Sequence, residues 1–170
     1  MEFVRLLVND PYSDDMIFKD EEIEDILARN EQEVSYLPLV YVPTVESGGI
    51  TVYKKYVSMY RTNWASDAKL YDHEYALVTP TASDYKRGQW TFTVSTPPPL
   101  YVCGTHYDIY STAADVLETW AAKEKLNFDF SSDGQSFQRT QKSAQLAGLA
   151  RYYRAKAQPI ICQSVRSDAV

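Results

Sequence analysis

The stretch YDIYSTAADVLETWAAKEKLN, residues 107–127, is where the chain changes character. Ahead of it the pattern is that of strands; behind it comes a second helical pattern. Within it Ile109, Ala113, Val116, Leu117, Trp120 and Ala121 recur at three- and four-residue spacings, which is one face of a helix. Asp108 precedes that face as a helix-start carboxylate. After the loop FDFSSDGQ, a turn signal at Asp133-Gly134 and Ser136 as N-cap predict a second helix from about Ser136 to Ala157, with Phe137 at its start. Its apolar face is Leu146, Leu149, Ala150, Tyr153 and Ala157, and Pro159 stops it. Gly148 inside this helix costs about 1 kcal/mol relative to alanine, which a close approach between the two alanine-rich helices would offset. Beyond it runs an extended tail with an apolar start, Ile160-Ile161-Cys162.

Upstream, residues 34–105 read as β-structure. YLPLVYVPTV is interrupted by prolines, as in an edge strand or extended entry. Gly48-Gly49 marks a turn before ITVYKKYVSMYRT, a strand rich in β-branched and aromatic residues. LYDHEYALVTPT reads as a weaker strand. After a turn at Arg87-Gly88, Trp90, Phe92 and Val94 alternate with polar residues in QWTFTVST, the period of a half-buried strand. LYVCG is the last, short strand. At the front, Val4, Leu6, Leu7 and Val8 form an apolar run broken by Asn9-Asp10-Pro11. Asp20 then caps a helix with Glu21 and Glu22 in its first turn, Phe18, Ile23, Ile26 and Leu27 on its apolar side, and Asn30 as its stop. The fold class is therefore α+β. An N-terminal helical segment (1–33) and a C-terminal antiparallel helix pair (106–158) flank an inserted, antiparallel β-rich subdomain (34–105), and an extended tail (159–170) follows.

A chain of 170 residues buries roughly 70% of its unfolded surface and needs no covalent staples. Its two cysteines, Cys103 and Cys162, form no disulfide framework or zinc pattern and fit a reducing cytoplasm. No apolar run approaches the ~18 residues of a membrane span, and the N-terminus lacks a signal peptide's layout. Fourteen tyrosines are many, and tyrosine suits wet, adaptable interfaces. The net charge of −6 is unevenly spread: residues 1–35 carry −8, residues 36–135 carry −3 and residues 136–170 carry +5. Such poles read either as ordinary solvated faces or as ends that attract neighbouring copies or orient two partners. The acidic total argues against non-specific nucleic-acid binding.

Catalytic patterns are thin. CGTHYD places Cys103, His106 and Asp108 close together, but a thiol and its imidazole base normally meet in space rather than three residues apart. Cys103 reads more simply as a small buried residue. The acids of residues 20–25 read as a solvated helix face. DPYSDD lacks the glycine and closing glutamate of a calcium loop, and phosphate-binding, dinucleotide and zinc-protease motifs are missing. TVYKKYVSMYR and DYKRGQW interleave bases with aromatics as a single-strand platform would. Tyr53, Tyr56, Tyr60 and Trp90 nevertheless read as sheet-packing residues in a net acidic zone. No catalytic, metal-binding or cofactor-binding residue is assigned.

VRLLVNDPYSDDMIFKDEEIEDIL resembles the N-terminal signature of head–tail connector (adaptor) proteins of tailed bacteriophages and prophages. There an arginine-leucine-leucine run, an acidic loop and a phenylalanine precede a helix beginning Asp-Glu-Glu-Ile. GTHYDIYSTAADVLETWAAK with FDFSSDGQSFQRTQKSAQLAGLARYYRAKAQP is similar to the family's C-terminal helix pair. Together these motifs span a little under half the chain. Compact members are nearly all helical, so the β-rich zone departs from the pattern as an insertion.

The resemblance implies a non-enzymatic virion protein, made in the bacterial host cytoplasm and resident in the neck. It implies a ring of copies, twelve-fold like the portal, that extends the DNA channel and docks a stopper or the tail. Its partners would be the portal protein, neighbouring copies of itself and stopper or tail proteins. Packaged DNA would pass without sequence-specific contact, with no membrane and no cofactor. On this reading Ile160, Ile161, Cys162 and Val165 bind the portal. Glu21, Glu22, Glu24, Asp25, Arg151, Arg154 and Lys156 face a neighbour or the channel. A tail-completion or stopper protein of the same neck is the nearest alternative, and a nucleic-acid-binding module a further one.

Overall fold

Asp108 turns the chain from strand into helix. Its carboxylate accepts the backbone N–H groups of Tyr110 and Ser111, each at 3.0 Å. Two donors that the helix cannot satisfy itself are thereby paired, a contribution of about 1 kcal/mol. The computed structural model describes residues 1–10, 16–59, 61–126, 130–132, 135–137 and 139–157. The fold is α+β: the described residues form four helices and two antiparallel four-stranded sheets, with a short two-stranded ribbon.

The helix after Asp108, α3 (Ile109–Lys125), is the axis of the helical part. All six residues of the anticipated apolar face are buried on it. Around it pack α1 (Glu2–Val8), α2 (Asp20–Arg29) and α4 (Arg139–Lys156). Val4 and Val8 of α1, Ile23 of α2 and Ala150 of α4 close a core over Ile109, Val116, Leu117 and Trp120, with Phe18 inserted edge-on to Trp120. The apolar run at residues 4–8 is thus a helix, which so short a run does not reveal by periodicity. Asn9 ends it in the left-handed conformation, with Asn9 N–H on Leu6 O and Asp10 N–H on Arg5 O, a Schellman arrangement.

A buried ion pair lies at the edge of this core. The Arg5 guanidinium, 1% exposed, pairs with Asp10 at 3.1 Å and Asp20 at 2.6 Å and donates to the Phe18 carbonyl at 2.8 Å. Asp20 is consequently not the cap expected of it. Lys19 occupies the N-cap, Asp20 is the first helical residue, and Glu22 reaches back to accept the Lys19 N–H at 2.9 Å. That backbone bond, with Lys123 nearby, holds the Glu22 carboxyl below the usual carboxylate range.

The β-region leaves the helical core at Asn30 and returns at Asp108. One sheet has the order β1 (Glu31–Pro38), β8 (Tyr101–Tyr107), β4 (Lys69–Tyr71), β5 (Leu77–Val78). The other has the order β2 (Val40–Glu46), β3 (Ile50–Val57), β7 (Gln89–Thr91), β6 (Ala82–Asp84). Between them lies a second, aromatic core of Tyr56, Trp64, Leu70, Trp90, Leu100 and Val102. Trp64 meets Trp90 and Tyr56 meets Phe92 edge-on. Tyr56 donates its hydroxyl to Thr96 O, and burial pushes its pKa up to about 12. The turn at Gly88 (φ 63°) tolerates no side chain, because a Cβ would lie 2.6 Å from the Arg61 carbonyl.

β2 is an edge strand, as its prolines indicate, with the register slipping at Val42/Pro43. Val94, by contrast, is 75% exposed: β7 ends at Thr91, and the alternation loses its partner strand there. The last strand, β8, is longer than the LYVCG read for it, because both neighbours hydrogen-bond to it.

The second helix also starts later than its sequence pattern indicates. Ser136 and Phe137 lie in β10 (Gln135–Phe137), paired with β9 (Phe130–Ser132), and α4 begins at Arg139. Asp-Gly between two short strand-competent segments is a hairpin signal, and it outweighs the serine cap. Gly148 has open space where a Cβ would stand, so it is not the point of close helix approach. Among the described side chains of α4, Ser143 and Ala150 are buried against the rest of the core, and Ser143 donates its hydroxyl to Ala121 O.

Candidate functional site

Where the two cores meet, residues 61–65 cross from one sheet toward the other. Asn63 N–H donates to Lys86 O, Trp64 N–H to Tyr85 O and Ala65 N–H to Thr105 O, so this segment fastens the 85–88 turn to β8. Beneath it is a buried polar group that the sequence did not announce. Arg61 and His106, 6% and 1% exposed, sit beside the amide of Gln32. Arg61 Nη1 donates to Gln32 Oε1 at 3.0 Å and also contacts His106 Nε2. His106 Nε2 lies within hydrogen-bonding reach of both Arg61 Nη1 and Gln32 Oε1, the latter at 3.1 Å, and beside the guanidinium charge the neutral imidazole is the favoured form. Burial, with the neighbouring Arg61 charge, lowers the His106 pKa to about 4 against the opposing pull of Asp108. Burial likewise lowers the pKa of Arg61.

His106 forms part of the floor of an open cleft of about 1050 Å³ between α1 and the sheets. One wall is the outer side of α1, where Phe3 and Leu6, at i and i+3, are 50% and 73% exposed. The other wall carries Asn63, Lys86 and Gln89. A short helix that is apolar on both sides has one face in its own core and a second that calls for a covering surface. A lone arginine inside an apolar run was the available sequence signal for Arg5, and Leu6 was marked only as a member of that run; nothing in the pattern marked Phe3 or Arg61.

The thiol–imidazole pair does not assemble. Cys103 and His106 are three residues apart on β8 and therefore project to opposite faces of the sheet. Cys103 is half-buried rather than buried and accepts the Tyr36 N–H at 3.1 Å. Its face of the sheet is lined by tyrosines: Tyr36 meets Tyr71 and Tyr75, and Tyr75 stacks on Tyr101. The aromatic platform proposed for single strands is not presented either, since Tyr56 and Trp90 are fully buried and Lys54 pairs with Glu46. Tyr60 lies outside the described residues. Among the described residues no three histidine, cysteine or acidic side chains cluster as metal ligands, and no helix is long and apolar enough to cross a membrane.

The charged candidates divide. Glu21, Glu22, Glu24 and Asp25 are all exposed; Glu22 pairs with Lys123, while the other three have no ion partner among the described residues. Arg154 is occupied within the chain, bonded to Asp115 at 2.6 Å and Glu118 at 3.1 Å, which raises its pKa. Lys156 lies over the Tyr152 ring, and Arg151 is exposed. Arg154 thus clamps α4 to α3 and is not a free outward charge. Ile160, Ile161, Cys162 and Val165 lie outside the described residues.

In comparisons with known proteins, no protein-family model matches the sequence, and no curated protein or solved structure matches the chain.

Proposed function

We propose that the chain is a structural component of the neck of a tailed bacteriophage, an adaptor that forms a ring below the portal. The ring extends the DNA channel and offers a docking surface to a stopper or the tail. One observation supports this reading above the others. The segments that carry the resemblance, residues at both ends of the chain, pack into one helical core although the sheets separate them in sequence. Asn30 Nδ2, at the end of α2, donates to Asp115 Oδ2 of α3 at 2.7 Å. The Tyr153 hydroxyl of α4 donates to Leu7 O of α1 at 3.1 Å. An insertion that leaves and re-enters beside these contacts keeps such a core intact.

The role is assembly rather than reaction. Exposed acids on α2 (Glu21, Glu24, Asp25) supply charge to a neighbouring copy or to the channel, and Arg151 supplies the opposite sign. Acid lining would let packaged DNA pass without adhering. The tail, through Ile160, Ile161, Cys162 and Val165, anchors on the portal by adding an extended segment to it. The test is co-purification with the portal of the cognate phage. Deleting residues 158–170 is expected to abolish capture while leaving the thermal transition of the fold unchanged. A truncated chain that still binds would move the anchor elsewhere. A full-length chain that never binds a portal would remove the adaptor role.

A further inference from the structure

On the helical side of the molecule, the chain's own lysines lie over its rings. Lys123 stands over Phe18 at 4.4 Å from the ring centre, Lys142 over Trp120 at 5.0 Å and Lys156 over Tyr152 at 4.3 Å. The outer face of the first sheet is different. Leu70, Val102 and His106 are buried on its core side, so alternation along β4 and β8 sends Tyr71, Tyr101 and Cys103 outward. There Tyr71, Tyr36, Tyr75 and Tyr101 form a row of rings with successive centres 5.6, 5.1 and 6.2 Å apart. Tyr36 and Tyr75 are 43% and 62% exposed. Among the described residues no cation lies over any of the four.

The two exposed rings are held from behind. Asp72 Oδ1 accepts the N–H groups of Glu74 and Ala76, each at 2.9 Å, and Tyr75 N–H donates to Asp72 O at 3.1 Å. Tyr36 N–H is held by Cys103 Sγ. Both tyrosines have left-handed backbone, φ 52° and 62°, a conformation that an aromatic residue keeps where its surroundings fix it. The charge around the rings is mainly acidic. Glu33 projects from β1 on this face, opposite Thr105, and the turn that carries Tyr75 also carries Asp72 and Glu74. Lys69, opposite Cys103, is the cation of the face. Glu33 has no ion partner among the described residues, and Glu74 reaches His73 at 3.7 Å. Electron-rich rings with surplus carboxylates complement a cation and repel a phosphate backbone. A flat guanidinium, which stacks on a ring while donating to carboxylates, fits better than an ammonium.

We propose that this tyrosine face binds an arginine-bearing segment of a partner protein, with guanidinium groups stacked on Tyr36 and Tyr75 and their charge met by Glu33 and Glu74. A row of rings open along its length takes an extended segment rather than one enclosed side chain. The contact does not rest on the neck reading.

The full chain with carbon-13-labelled tyrosine rings, titrated by NMR with a glycine–arginine repeat peptide, tests it. The ring signals of Tyr36, Tyr71, Tyr75 and Tyr101 are expected to move, while the same peptide with citrulline for arginine leaves them in place. Tyr36→Leu with Tyr75→Leu should weaken the arginine peptide about tenfold, and Tyr36→Phe with Tyr75→Phe should retain it, because phenylalanine keeps the ring. Glu33→Gln with Glu74→Gln should weaken it at low salt more than at high salt. No movement at millimolar peptide, equal movement with citrulline, or full binding by the leucine variant overturns the proposal. The citrulline comparison decides on the wild-type chain even where the leucine variant fails to fold. Sedimentation of the chain alone covers a second occupant: self-association that the leucine variant abolishes would assign the face to another copy and overturn the arginine partner.

Discussion

An arginine is buried beside each of the two cores, and the two are handled differently. In the helical core Arg5 faces two carboxylates, Asp10 and Asp20. In the region of the sheets Arg61 faces a neutral amide and a neutral imidazole, with Asp108 acting at longer range. The helical core is therefore locked by an ion pair that fastens α1 to the start of α2. The sheets are locked by hydrogen bonds whose strength depends on His106 staying uncharged. Buried charges paired with opposite charges fail when a partner is removed. Buried charges paired with titratable neutral groups fail when the pH falls.

The largest effect should follow from Arg5→Leu. It leaves the Asp10 carboxylate, 3% exposed, without its counter-ion, and a loss of about 3–5 kcal/mol is expected in denaturant unfolding. A loss below about 1 kcal/mol would mean that the ion pair is not what locks this core.

Acidification should separate the two regions next. His106 titrates near 4 in the fold and near its ordinary 6.5 when unfolded. Between those values the unfolded chain takes up a proton that the folded chain refuses. The contribution is thus complete above pH 6.5 and is lost as the pH falls toward 4, by about 3 kcal/mol in all. His106→Gln, which retains an acceptor for Arg61, should flatten that part of the stability–pH curve. An unchanged slope in the variant would assign the pH dependence to other groups.

Arg61→Leu should cost less than Arg5→Leu, about 2 kcal/mol, because no carboxylate in direct contact is left behind. It should also move the His106 titration upward, which NMR of the imidazole would register. Smallest of all is Val94→Ser. With the side chain 75% exposed, a change within about 0.5 kcal/mol is expected in the same unfolding assay. A large loss would mean that the edge beyond β7 is covered after all.

The helical part was legible where a periodic stripe was long enough to outvote local signals. α3 shows all six anticipated residues buried, and Asn30 does end α2. Legibility failed where a tertiary partner decided the matter. Asp20 read as a cap because nothing in its neighbourhood reveals that Arg5, fifteen residues earlier, takes its carboxylate. Val94 read as inward-facing because alternation says nothing about where the neighbouring strand ends. Gly148 read as a helix contact, though its Cβ position is open. The cleft was illegible for the same reason. It is built from α1, the 61–63 segment, the 85–88 turn and the end of β8, which no spacing in the sequence connects. The charge poles were visible as composition, but only the structure separates Arg154, bonded to α3, from the outward acids of α2.

The adaptor role itself is tested most directly by tag or immunogold electron microscopy of virions from the source lysate. Label at the junction of head and tail is the expected result, and it would turn the next experiments to the protein's order in the neck. Virions that contain none of the protein would contradict the role.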